Sequence, residues 1–128
     1  MHIELLKEMF CEMVEKKDIS ILSRYYHLDF KLYANGTSQD YEELYESHEK
    51  IYKTDIQYKV RYDDETFLET EEKCAGRIFI TLSWPGKDSI ELELILIASF
   101  KNKKIYRIWE TCYPDWSQLE TFKKVMDL

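Results

Sequence analysis

Up to Thr54 the apolar residues of this chain recur at helical spacing except over one extended segment, and from Ile56 onward they alternate, so the fold puts most of its helices first and most of its strands afterwards. Ile3, Leu6, Phe10 and Met13, with Leu5, Met9 and Val14 beside them, mark the buried face of a first helix that Lys16-Lys17 closes. Asp18 is placed to cap a second, short helix whose apolar face is Ile19, Leu22, Tyr25 and Tyr26. His27 to Ala34 reads as an extended segment ended by Asn35-Gly36, a dipeptide suited to positive φ, and Thr37-Ser38-Gln39 as a polar loop. Asp40 with Glu43 forms a capping box, behind which Tyr41, Leu44, Tyr45, His48, Ile51 and Tyr52 define a third helix.

In the second half Ile56, Tyr58, Val60 and Tyr62 alternate with Asp55, Gln57, Lys59 and Arg61. Further strands are expected at about Phe67 to Glu69, Lys73 to Trp84, Ser89 to Lys101 and Lys104 to Tyr113, with hairpin turns at Pro85-Gly86-Lys87-Asp88 and Asn102-Lys103. Ser117 with Glu120 offers one more capping box, opening a helix through Leu119, Phe122, Val125 and Met126. A chain of 128 residues, 45% apolar and 15% aromatic, buries one core but not two, so a single α+β domain over 1–128 is expected.

Eighteen basic against twenty-five acidic residues leave a net charge of −7 and no basic stripe, which excludes nucleic acid as an expected partner. The longest apolar run, Leu94 to Ala98, falls far short of the roughly 20 residues of a membrane span. The first eight residues mix charge into the apolar pattern and offer no export signal, so no membrane partner is expected. Cys11, Cys74 and Cys112 are odd in number and embedded in apolar patterns, which fits free thiols in a reducing cytoplasm. His2, His27 and His48 show no paired spacing with these cysteines, and neither a phosphate loop nor a nucleophile elbow is present, so no metal and no cofactor is expected.

Loop length fixes cross-strand register, and register assigns faces. With Trp84 opposite Asp88, the residues Ile78, Ile80, Leu82 and Trp84 share an apolar face with Ile90, Leu92, Leu94 and Leu96. The opposite face mixes Arg77, Phe79, Thr81 and Ser83 with Glu91, Glu93, Ile95 and Ile97. A two-residue turn at Asn102-Lys103 adds Tyr106, Ile108, Glu110 and Cys112 to that mixed face, so Arg77 and Glu110 are expected to flank Ile95 and pair across it inside a concave surface.

Lys17-Asp18, Tyr25-Tyr26, Asn35-Gly36, the third helix, Phe100-Lys101-Asn102-Lys103-Lys104-Ile105 and Ile108-Trp109-Glu110 follow one another in an order that resembles the nuclear-transport-factor-2-like superfamily, SnoaL-like branch, over nearly the whole chain. The resemblance implies a cone-shaped α+β barrel, with N-terminal helices packed on a strongly curved, mostly antiparallel sheet. It also implies that Tyr106, Ile108, Glu110 and Cys112 face the interior and that copies pair through their sheets. Phe10 and Ala34 stand where the ketosteroid-isomerase branch would carry its oxyanion tyrosine and its base aspartate, so that mechanism is not expected. Trp109-Glu110 matches the terminal Trp-acid pair of the cyclase-like branch, and the aspartate usual just beyond is matched at best by Asp115.

Two functions are therefore expected as alternatives. One is a binding protein for a small hydrophobic molecule, or an acid/base enzyme of isomerase, cyclase or hydrolase type. Glu110 and His48 would be its catalytic pair, since a desolvated carboxylate gains proton affinity and an inward imidazole titrates near neutrality. Arg77, Tyr26, Tyr33, Phe79, Glu93, Ile95, Tyr106, Ile108 and Cys112 would line the ligand, with Tyr25, Tyr58 and Trp84 as further aromatic walls. The other is a non-catalytic module whose cone is plugged by its own side chains and which acts as a homodimer through the apolar face, or by binding another protein.

Overall fold

The computed structural model describes residues 1–126, with side chains through Lys124. Helix α1 (His2–Met9) widens into a π-helical turn, Phe10–Glu15, and a 3₁₀ turn, Ile19–Ile21, leads into the short α2 (Leu22–Tyr25). Then follow β1 (Tyr26–Ala34), β2 (Thr37–Asp40), α3 (Tyr41–Tyr52), β3 (Gln57–Glu69), β4 (Lys73–Ser83), β5 (Ile90–Lys101), β6 (Lys104–Tyr113), a 3₁₀ turn (Trp116–Gln118) and α4 (Glu120–Met126). The six strands form one curved sheet in the order β2-β1-β6-β5-β4-β3, antiparallel except where β1 lies parallel to β6, and it wraps the helices as an α+β cone.

Local chemistry sets most of the boundaries. The Asp18 side chain accepts from Ser20 N–H, and Asp40 and Glu43 exchange reciprocal bonds of 2.9 and 3.1 Å at the start of α3. Asn35 and Gly36 (φ 49° and 84°) turn β1 into β2, and Asn102 and Lys103 (φ 54° and 62°) turn β5 into β6. Thr37–Asp40 is an edge strand paired with β1 rather than a loop. β3 runs on through the acidic stretch after Tyr62, absorbing it in an irregularity between Asp63 and Leu68. Near the C-terminus Asp115, and not Ser117, is the capping side chain: it accepts from Ser117 N–H and Oγ at 3.0 and 2.7 Å. The expected inward placement of Val125 and Met126 lies outside the described side chains.

The apolar sheet face is the inner one, which corrects its expected role as an open pairing surface. Leu6, Met9, Phe10 and Met13 from the first helical segment and Leu44 and Ile51 from α3 are all buried, as are Ile78, Ile80, Leu82, Leu92, Leu94 and Leu96. With helices on one side only, the sheet turns its more apolar face toward them, because the other face would bury Arg77, Glu91 and Glu93.

A second correction lies in the last hairpin. Phe100 stands opposite Ile105 as the turn requires, but Ser99 stands opposite Arg107, so Tyr106 is an extra residue in β6. This bulge reverses the alternation beyond it. Ala98, Leu96 and Leu94 are therefore partnered by Ile108, Glu110 and Cys112, which puts those three on the inner face.

Candidate functional site

Between the first helical segment, α3, the inner sheet face and the segment after β6 lies a cavity of about 130 Å³. Its walls are mostly apolar, and Trp116 and Phe122, packed edge to face at 5.7 Å, contribute to them from the C-terminal segment. The cone is thus largely filled by its own side chains, with space for a single small ring left inside.

Glu110 reaches this cavity from β6, where its strand neighbours are Ala34 and Leu96. No side chain among the described residues pairs with its carboxylate, and burial pushes its pKa up to about 7. His48 reaches the cavity from α3. Its Nδ1 lies 2.9 Å from the Leu44 carbonyl oxygen, which can only accept, so the proton sits on Nδ1 and Nε2 is left as an acceptor. Burial lowers the His48 pKa and favours that neutral form.

Three tyrosines complete the polar lining. Tyr52 stands one helical turn beyond His48, and its ring meets the imidazole edge to face at 5.3 Å and Tyr58 at 5.8 Å. The Tyr52 hydroxyl is buried without a hydrogen-bond partner among the described residues, whereas Tyr26 donates to Met9 Sδ at 3.4 Å. Burial raises the hydroxyl pKa of Tyr26, Tyr52 and Tyr58, so all three stay protonated at neutral pH. Gln39, from β2, also lines the cavity. Ser47 Oγ donates to the Leu44 carbonyl at 3.1 Å and so accepts from Gln39 Nε2 at 3.5 Å. Gln39 Oε1 is left buried with nothing donating to it.

Of the residues expected at the site, the structure brings Glu110, His48, Tyr26, Ile108 and Cys112 to the cavity, and Tyr58 with them. Arg77, Phe79, Glu93 and Ile95 lie on the outer face, as register requires once the apolar face is inside. There Arg77 binds Asp63 through Nε and Nη2 (2.9 and 2.6 Å) and Glu93 through Nη1 (3.0 Å), so its partners are these and not Glu110. Tyr33 stacks beside Trp109 on the outer face, and the bulge residue Tyr106 packs against His27 and Arg107. Tyr25 donates to Glu8 at 2.8 Å, and Trp84 lies outside the cavity wall with its Nε1 unpartnered. Sequence reasoning missed Tyr52, Gln39 and Trp116. The i+4 spacing from His48 signals Tyr52, while nothing local marks Gln39 or Trp116.

Among the described residues no cluster of His, Cys, Asp and Glu has the arrangement of a metal site, and no helix is long and apolar enough to cross a membrane. No protein-family profile and no curated protein matches the chain. Solved structures do. PrhC from Penicillium brasilianum superposes with a TM-score of 0.74 at 17% identity, over 98% of this chain and 85% of its own. IdmH from Streptomyces antibioticus, described as a candidate polyketide cyclase, gives 0.69 at 12% identity over 100% and 99%. A nuclear-transport-factor-2-like protein of unknown function from Cytophaga hutchinsonii gives 0.60 at 12% identity over 89% and 91%. The fold is the nuclear-transport-factor-2-like, SnoaL-like one. At these identities the likeness speaks for architecture.

Proposed function

We propose that the chain is one nuclear-transport-factor-2-like domain that binds a compact, largely apolar molecule in its inner cavity, with Glu110 and His48 giving the site acid/base capacity without a cofactor. One observation supports this above the rest: an otherwise apolar cavity holds a carboxylate, a tyrosine hydroxyl and an amide oxygen that no described residue satisfies. The buried hydroxyl and amide oxygen each cost on the order of 1–3 kcal/mol when left unpaired, and with the half-buried carboxylate beside them they support a use for these groups outside the fold. A Glu that titrates near neutrality can give or take a proton at working pH, and His48 Nε2 is a second acceptor. The SnoaL-like neighbours favour the same reading by analogy of fold. The free thiols, two of them buried, support a reducing, cytoplasmic setting.

A screen of single-ring compounds by thermal shift is expected to find stabilising ligands in this protein. Glu110→Gln and His48→Phe, both folded, are expected to weaken that stabilisation and remove its pH dependence between roughly pH 5 and 8. If no ring compound raises the melting temperature, the reading is wrong.

The outer face favours a second role. Tyr33, Trp109 and Ile97 stand in register across three strands and remain 38%, 38% and 45% exposed, with Leu68 further along the same row at 62%. An apolar row of this kind supports pairing of two copies through the outer face rather than the inner one. Light scattering at micromolar concentration is then expected to give about twice the chain mass, and Ile97→Lys the monomer mass. A monomer at every concentration tested removes this role and leaves the cavity untouched.

A further inference from the structure

We propose that the inner cavity takes a compact organic cation, an amine built on one ring, with its ammonium group on Glu110 and its body between the aromatic walls. This rests on the reading of the cavity as a ligand site and names the class of ligand.

Charge comes first. Among the described residues the cavity wall contains one carboxylate and no lysine or arginine, so it offers an anionic ligand no counter-charge and offers a cation one that nothing in the protein occupies. Hydrogen bonding points the same way. The open acceptors in the cavity are the two Glu110 oxygens, Gln39 Oε1 and His48 Nε2, whereas the proton on His48 Nδ1 and one amide hydrogen of Gln39 are directed at Leu44 and Ser47, and the Tyr52 hydroxyl can donate or accept. Acceptors therefore predominate. An ammonium group, with several N–H donors and no acceptor, is the complement of such a set.

The walls supply the remaining term. Phe10, Tyr26, Phe30, Tyr52, Tyr58 and Trp116 place aromatic rings around the space, and ring faces attract cations when water is excluded. The cavity volume of about 130 Å³ is close to the roughly 150 Å³ that accommodates one benzene ring, which matches a single-ring ligand. The titratable groups sharing the cavity with Glu110 are Tyr26 from β1, Cys112 from β6, His48 and Tyr52 from α3 and Tyr58 from β3, with Asp115 behind Cys112. None of these brings a fixed positive charge.

Amide NMR titration with benzylamine, benzyl alcohol and benzoate at pH 7 tests the proposal with three probes of similar size and different charge. Benzylamine is expected to bind at least about tenfold more tightly than benzyl alcohol, with shifts at Glu110 and Tyr52, and benzoate not at all. Glu110→Gln is expected to weaken benzylamine far more than benzyl alcohol, so that the amine loses its advantage. At pH 6, calorimetry in two buffers is expected to show proton release with the amine only, as the bound cation ionises Glu110. The comparison of probes on the unaltered protein stands even if the variant fails to fold. If benzyl alcohol or benzoate binds as well as the amine, the cation assignment is overturned while the cavity remains a ligand site. If none of the three binds, the ligand-site reading falls, and the assignment with it.

Discussion

Leu92→Glu is expected to unfold the protein. Leu92 is 4% exposed on the inner face, opposite Ile80 of β4, and it forms part of the cavity wall. Removing a buried leucine costs about 2–5 kcal/mol through lost transfer energy and the space left behind. A carboxylate put there meets no cation among the described wall residues, which adds several kcal/mol. The sum matches the roughly 5–15 kcal/mol that holds an ordinary domain together. Ile95→Glu, three residues on in the same strand but 56% exposed on the outer face, is expected to change stability by less than about 1 kcal/mol. Circular dichroism and urea titration of the two variants distinguish the faces. A folded Leu92→Glu protein beside an unfolded Ile95→Glu one would mean that the sheet is turned the other way.

Glu110→Gln is expected to stabilise the protein at alkaline pH and to do nothing at acid pH. Burial raises the folded-state pKa of Glu110 from 4.5 to about 7, so the folded protein holds this proton more tightly than the unfolded chain does. The resulting stabilisation is complete below about pH 4.5 and is lost as pH rises through 7. Above that, the wild type keeps a buried charge whose cost, at 1.36 kcal/mol for each pKa unit, is about 3 kcal/mol, whereas Gln has the same shape and no charge to desolvate. His48 acts in the opposite sense: its lowered pKa means that stability is lost as pH falls below the ordinary histidine value of about 6.5. Urea midpoints of wild type and variant measured from pH 4.5 to 8.5 are expected to diverge steadily upward in pH. Parallel curves would show that Glu110 is solvated.

Local signals in the sequence were read well because their causes are local. Asp18, the Asp40 and Glu43 box and the Asn-containing turns need only a few neighbouring residues to act, and each sits where its chemistry requires. Which sheet face lies inside is not legible in the sequence, because a strand's alternation separates two faces without saying which of them the helices cover. The inner face was assigned to Arg77 and Glu93, and the burial of Leu6, Met9 and Met13 against the apolar set decides otherwise. The bulge at Tyr106 was also unreadable, since an extra residue in a strand has no required side chain. These two errors cancel at Ile108, Glu110 and Cys112, which reach the cavity although both steps that put them there were wrong. They do not cancel at Arg77, Phe79, Glu93 and Ile95, which precede the bulge. Two grounds put Glu110 in the interior, hairpin register and the family resemblance of the positions after the last turn; the first holds only through the cancelling errors, and its neighbours Tyr52 and Gln39 emerge only when α3 and β2 close over the sheet.

The extra residue in β6 also makes the contents of the cavity a matter of register. Ile108, Glu110 and Cys112 point inward, and Trp109, Thr111 and Tyr113 outward, only because Tyr106 has been inserted between the turn and the rest of the strand. Pairing Tyr106 with Ser99 instead, so that the same residues form a regular ladder with the turn and β5 unchanged, would exchange the two sets in a single step. The interior would trade its carboxylate and thiol for a tryptophan and a threonine, and the outer row would lose Trp109 from between Tyr33 and Ile97. Descendants of such a scaffold would acquire a different ligand preference and a different surface together, without any change to the helices that frame them. Whether this bulge forms, rather than which side chains the strand carries, thus decides what the cone can hold.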